Sequence, residues 1–516
     1  MLAPATKRLV KFPFPFQGLN TTASSLVLNK GFCPVAEGIR FARGEISSQP
    51  ALVGMGSFGS SPINGAFVSY RDDGSIVTII TTASTAATLD STGLVWNAST
   101  FVPLYVGLDE DFWSFADVFG EIYTSNGVGS LLWSADGGVF TDISALGYSG
   151  RYLEAFAGRL VMANVFESGQ QHTERVRWSV ANSPRDFTGD GTAGAIDLVD
   201  LAGPITGLKA MGGRLFIHKR TGITVALETG LLTPPFAFQT VVDGIGTIAG
   251  RTLLTIHGVQ FFLGEDDVYV YDGASAPQPI GEQIRKELFE NINWARVRNC
   301  WAAHYADHHE YSLYVPTGSN QWPTVCYTFN YLDRTWTKRT HSSAVTAGSQ
   351  LQIAPGGDTW DGGHDGGDDT WDGGGDIPWD APSAAAHLIP FVGRSDGTTA
   401  YPSEGTTGLT TAAVVETGDW DLDKPGDMKT IDRIRLTVRH RNNATFAVSI
   451  SIDGGNSFTT PQNATLTAVG GEFSLTTLFI PVVRTTAEFF RLRLSTSSRF
   501  ALVSWEFEVV DRAEVR

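Results

Sequence analysis

The residues best placed to do chemistry are carboxylates in glycine-rich runs. Residues 356–380 read GGDTWDGGHDGGDDTWDGGGDIPWD, with DTWDGG starting at Asp358 and again at Asp369. Dense carboxylates with glycine between them can wrap a hard cation such as calcium. The spacing follows neither the EF-hand loop nor the calcium-binding nonapeptide, and the tryptophans suit anchors that pin a surface insertion. A second run, DFTGDGTAGAID, puts Asp186, Thr188, Asp190, Gly191 and Asp197 at loop positions one, three, five, six and twelve. No amphipathic helices flank it, and a closing Asp is a shorter arm than a bidentate Glu, so it reads as a turn between strands.

Other constellations are weaker. His304, His308 and His309 in HYADHHEY are dense in histidine, but His304 and His308 share a face only on a helix, and the following YSLYVP reads as strand. GMGSFGSSP around Gly54 lacks the Lys-Ser/Thr of a phosphate loop, and neither HExxH nor GxSxG occurs. Asp-box-like turns occupy Ser451 to Phe458 and, incompletely, Ser134 to Phe140; they punctuate many β proteins without supplying a reaction. Glycoside hydrolysis needs two carboxylates across a pocket, and no pair is singled out. No catalytic, cofactor-binding or metal residue is assigned, and the chain is expected not to be an enzyme.

The elements that would position any site are strands. GRLVMANVF from Gly158 and GGRLFIHKR from Gly212 bracket RVRWSVANSPRDF, and each GRL reads as a turn feeding a buried strand. Similar clusters follow Asp73-Gly74, Asn126-Gly127 and Asp136-Gly137, then VQFFLGEDDVYVYDG, HEYSLYVP and VCYTFNYLDRTWTKR. Six or seven such units, averaging forty to sixty residues, predict an all-β chain with a β-propeller-like domain over residues 51–410, carrying the insertion at 356–380. Stacked sandwiches are the alternative. IGEQIRKELFENIN has helical spacing at Ile284, Leu288 and Phe289 and is expected to bridge two blades. Residues 1–50, with FPFPFQ, read as an N-terminal docking arm. Over 411–516, Ile434, Leu436 and Val438 alternate with Arg433, Arg435 and Arg439, and Phe490, Leu492 and Leu494 with Arg491 and Arg493. That period of two predicts a C-terminal β-sandwich-like domain.

Composition agrees with strands and turns: 57 glycines and 18% charged residues in 516. A net charge of −17 is wrong for a surface that grips phosphates, yet it suits a wall past which a polyanion slides without sticking. Three cysteines, Cys33, Cys300 and Cys326, have no metal-like spacing and read as reduced cytosolic thiols. No signal peptide and no run of about twenty apolar residues is found.

NTT...LVLNKGFCPVAEGIRFARGE, AGRLVMANVF...RVRWSVANSPRDF, PITGLKAMGGRLFIHKRTGITV and FFLGEDDVYVYDG...IGEQI together resemble the tail nozzle proteins of short-tailed bacteriophages, also called tail tubular protein B. The resemblance covers most of residues 20–340 and the sandwich-like end. It implies a homohexameric ring below a dodecameric head-tail adaptor, in a virion tail assembled in the host cytoplasm. Such a ring retains the packaged double-stranded DNA and conducts it at ejection without reading its sequence; tail fibres or spikes and a tail needle or plug are the implied further partners. No cofactor is implied. A carbohydrate-binding or glycan-degrading propeller of a phage tail, and a neck or stopper component, are the alternatives; the first is motivated by the Asp-box turns and 13 tryptophans.

Overall fold

The computed structural model describes residues 6–12, 16–24, 26–42, 44–71, 76–89, 96–102, 111–129, 131–189, 192–352, 388–403, 408–440, 442–468 and 474–511. The insertion at 356–380 and the Asp73-Gly74 turn lie outside the described residues. Seven four-stranded units follow one another, and the first strand of each packs beside the first strand of the next. These seven are Gly65–Tyr70, Ser114–Val118, Tyr148–Phe156, Ile205–Met211, Leu254–Ile256, Trp301–Tyr305 and Val345–Gln352. Because Val345–Gln352 comes back against Gly65–Tyr70, the units are the blades of a closed seven-bladed propeller, numbered here 1 to 7 in that order. Strand-rich, helix-poor composition thus produces the all-β propeller that the turn grammar predicts.

Local chemistry explains the blade turns. In blades 2 to 5 the first and second strands are joined through Phe119-Gly120, Ala157-Gly158, Gly212-Gly213 and His257-Gly258, and all eight residues have positive φ. Two successive positive φ values make the tight hairpin whose twist matches that of the strands, and glycine takes the second position without a Cβ clash. The GRL phrase is two of these turns. Its arginines are framework: Arg159 Nη1 donates to the carbonyl oxygens of Ser179 at 2.6 Å and Thr192 at 2.8 Å, and Arg214 Nη1 donates to Gly273 at 3.1 Å.

Blade 7 closes the circle with a strand from the other end of the domain. Its outermost strand, Ala51–Ser57, pairs antiparallel with Thr398–Ser403, which follows Leu388–Arg394 and Val345–Gln352. Gly54, part of the rejected phosphate-loop pattern, therefore lies in a closing strand. Blades 1 and 2 share a further seam, where Trp96–Val102 pairs parallel with Val139–Asp142. The predicted helix forms as Arg285–Asn291 and links blades 5 and 6, burying Ile284 and Leu288.

The C-terminal region is a sandwich of two sheets into which the N-terminal arm is laid. One sheet runs Ser474–Ala487, Lys429–His440, Ala501–Asp511, Glu45–Ser48, Ile39–Ala42, with Thr6–Lys11 also paired to Ala501–Asp511. The other runs Val35–Glu37, Gly408–Glu416, Arg491–Ser498, Ala444–Ser451, Gln462–Leu466, and through Val35–Glu37 it continues into Thr335–Thr340 of blade 6. The alternating Ile434, Leu436, Val438, Leu492 and Leu494 all point inward. One apolar cluster joins them to Trp336, Tyr311 and Val268 of blades 6 and 5, so propeller and sandwich share a core.

Two measurements probe this architecture. Phe391, fully buried in the blade 7 cluster with Met55 of the closing strand, is expected to cost about 3–5 kcal/mol of stability when changed to alanine, read by denaturant unfolding. His218, fully buried with Nε2 2.9 Å from Gln260 Oε1, has its pKa pulled down to about 4 by burial, against 6.5 in the unfolded chain. The unfolded state then binds the extra proton between those values, so the stabilisation is complete above pH 6.5 and is lost as pH falls toward 4. Of the stability difference between melts at pH 7.5 and 4.5, His218 is expected to supply about 3 kcal/mol, the share that His218→Gln removes.

Candidate functional site

Topology places the starts of all seven inner strands on one face, around the propeller axis. The connections entering them carry Phe112 and Trp113 before blade 2, Arg251 in the turn Gly250–Thr252 before blade 5, and Arg298 in Trp294–Asn299 before blade 6. Arg251 reaches across this mouth. Its Nη2 donates to the Thr346 carbonyl oxygen of blade 7 at 2.6 Å, and its guanidinium lies 3.9 Å from the Phe112 ring centroid. Phe112 in turn meets Trp322 edge-on at 6.1 Å.

Three arginines lie near this plug. Tyr152, on the blade 3 inner strand, has its hydroxyl pKa raised by burial, while Arg151, Arg298 and Arg251 act on it in the opposite sense. None of these three arginines is ion-paired to a carboxylate among the described residues. Arg151 Nε and Arg251 Nη1 are buried without a hydrogen-bond partner, and burial pulls the Arg251 pKa down to about 9. Guanidinium donors without a paired carboxylate suit an anionic group lying over the mouth. Close packing sets it: a Cβ on Gly250 would overlap the Thr206 carbonyl oxygen and the Tyr152 ring.

The residues singled out from sequence fall elsewhere. His304 and His309 do come together, with His304 Nε2 3.1 Å and His309 Nδ1 3.4 Å from the Tyr331 hydroxyl oxygen, and His257 beside them. They sit at the opposite end of the inner strands, and His308 instead packs edge-on against Tyr305 at 4.6 Å. Burial pulls the His304 pKa down to about 4, with His257 and His309 adding to the shift. In the second calcium-like run, Asp186 Oδ1 accepts from the Thr188 and Gly189 amides, and Asp197 forms a bidentate pair with Arg175 at 2.7 and 2.8 Å. Asp190 and Gly191 lie outside the described residues. Among the described residues no three His, Cys, Asp or Glu side chains are grouped to hold a metal.

Both Asp-box-like segments are turns. Asp453 Oδ1 accepts from Ser451 Oγ at 2.7 Å and the Ser457 amide at 2.9 Å, and hydrogen bonds from Ser457 first, then Ser451, bring its pKa down to about 2. This turn is in the sandwich, whereas Gly138 N donating to Asp136 Oδ1 at 2.8 Å closes the last hairpin of blade 2. The three thiols are buried; burial pushes Cys33 up to about 12 and Cys326 to about 11. Among the described residues the buried carboxylates Asp267, Glu310, Glu416 and Glu506 are engaged by Arg285, Arg40, Arg493 and Lys11. No described helix is long and apolar enough to cross a membrane.

No protein-family model and no curated protein matches the chain. Solved structures do. The extracellular domain of a protein described as a one-component system from B. thetaiotaomicron is 11% identical, with 88% of this chain and 62% of that one covered and a TM-score of 0.39. The chain thus spans less than two thirds of that domain. An exo-β-1,3-galactanase from Phanerochaete chrysosporium is 10% identical over 77% of this chain and 95% of its own (TM-score 0.24), and a family 43 arabinoxylan arabinofuranohydrolase from Bacillus subtilis is 12% identical over 89% and 95% (TM-score 0.22). With two glycoside hydrolases among the similar structures, the expectation that the chain is not an enzyme is corrected and withdrawn. The physical reason is that propeller enzymes can draw their carboxylates from separate blades, so the missing short motif excludes nothing.

One outcome tests the mouth and another the Asp186 segment. Gly250→Ala is expected to lose about 3 kcal/mol of stability, because the new methyl meets backbone and ring. Chelation of calcium is expected to leave the melting temperature unchanged if the Asp186 segment is only a turn; a fall would restore the calcium reading.

Proposed function

We propose that the chain is a ring-forming structural component of a short-tailed phage tail, of the nozzle type, extending the portal channel for the packaged DNA. The observation that carries this reading is a long edge strand with three exposed apolar side chains. Ser474–Ala487, fourteen residues long, ends its sheet, with Lys429–His440 as its only neighbour in that sheet. Leu475, Phe479 and Val483 on its outer face are 63%, 52% and 53% exposed. A long edge strand with exposed apolar side chains invites contact with another chain, and a second copy is the occupant assigned to it. Heterologous contacts of this kind close into rings when the rotation allows. The shared core between sandwich and propeller fixes the angle that each copy passes to the next. A net charge of −17 supports a bore past which DNA slides.

The second reading, a carbohydrate-binding or glycan-degrading tail propeller, is favoured by the three unpaired arginines and the Phe112/Trp322 pair at the mouth. Aromatic faces stack on sugars and arginines take carboxylates, so an acidic glycan is its ligand.

Imaging and mass photometry of the protein with its adaptor ring should show a sixfold ring. Phe479→Glu is expected to reduce the assembly to monomers while shifting stability by less than about 1 kcal/mol. A protein that stays monomeric with the adaptor, yet binds or cleaves acidic bacterial polysaccharide, would replace the first reading with the second.

A further inference from the structure

A cavity of about 50 Å³ lies between blades 6 and 7 under the segment Gln49-Pro50. Its floor is one face of blade 6. The cross-strand rows Trp301, Tyr314, Cys326, Arg339 and Ala303, Ser312, Thr328 place Tyr314, Cys326, Thr328 and Arg339 on that face. The opposite wall, with Pro390, Val392 and Pro402, offers no charge.

The charges in this cavity do not cancel. Arg40 holds Glu310 through two hydrogen bonds of 2.7 and 3.1 Å, and both side chains are more than nine-tenths buried. That pair is neutral as a unit. Arg339 remains: its guanidinium has neither a hydrogen bond nor an ion pair with any described residue, and Glu310, the one carboxylate in the lining, is already taken. Cys326 and Tyr314 stay neutral, since burial raises both pKa values. Two further polar atoms are left over. His341 Nε2 and Gln49 Oε1 are buried without a hydrogen-bond partner, and Gln49 is only 7% exposed. A half-turn of its carboxamide presents N–H groups to the cavity instead. A guanidinium with no carboxylate of its own, in a narrow pocket beside two buried unsatisfied atoms, is a place that a counter-ion would complete.

We propose that this cavity is a binding site for one small monovalent anion of halide size, held by Arg339 with the Thr328 hydroxyl and the Gln49 amide. The narrow interior, about 50 Å³, fits an ion little larger than water. The anion would tie the blade 6 face to the closing blade, which carries Leu52 on its outermost strand. The site is independent of the ring and glycan readings.

Thermal melts of the full chain in sodium chloride and in sodium gluconate of equal ionic strength test it. The expected result is a saturable rise of about 1–2 °C with chloride, reproduced by bromide and absent in Arg339→Gln. Equal curves in both salts, or a halide effect retained in Arg339→Gln, would overturn the site. Should that variant fail to fold, crystals of the unaltered protein soaked in bromide decide: an anomalous peak beside the Arg339 guanidinium supports the site, and its absence rejects it.

Discussion

Everything in this molecule hangs on closing a circle between distant parts of the chain. Ala51–Ser57 pairs with Thr398–Ser403, and until it does, blade 7 has only three strands. Loop-closure entropy grows only slowly with length, so a contact across some 350 residues is affordable once each blade has formed from local hairpins. Closure protects the inner strands from foreign pairing, leaving only short blade edges.

Closure also decides how the second unit sits. The strand that completes blade 7 is preceded by Ile39–Ala42 and Glu45–Ser48, which belong to the sandwich. Thr6–Lys11 runs along Ala501–Asp511, so the first and last described strands lie in one sheet. Val35–Glu37 bridges Thr335–Thr340 and Gly408–Glu416. A single cluster containing Phe12, Phe41, Trp336, Trp505 and Phe507 fills the space between. The sandwich is thereby oriented by covalent, hydrogen-bonded and apolar links together.

Much of this was legible in the residues. Repeated turn-Gly phrases announced blades, because a hairpin with two positive φ values selects glycine wherever it occurs. Alternation at Ile434, Leu436 and Val438 announced a sheet with one dry face. The site was not legible, and the reason is specific. Gly158-Arg159 and Gly250-Arg251 are the same dipeptide after the same alanine. The first arginine satisfies turn carbonyls at a blade rim, and the second spans the axis to Thr346 and Phe112. Only the position of the strand start within the ring separates them. The histidines misled in the converse way: His304 and His309 meet through the Tyr331 hydroxyl across a strand and a turn, a contact that helical spacing could not suggest.

By itself the sequence determined period and punctuation: strands of alternating polarity, turns that require glycine, a helix of one short segment, and a negative overall charge. These are local properties, set by φ/ψ preference and by which face of a strand is dry. Tertiary structure alone decided that there are seven blades, that the last borrows its outer strand from residue 51 onward, and that Arg151, Arg251 and Arg298 all act on Tyr152. It also decided that Arg339 is left without a carboxylate beside a neutralised Arg40–Glu310 pair. Such facts depend on which distant side chains share a small volume of low dielectric, and no window of neighbouring residues contains that information.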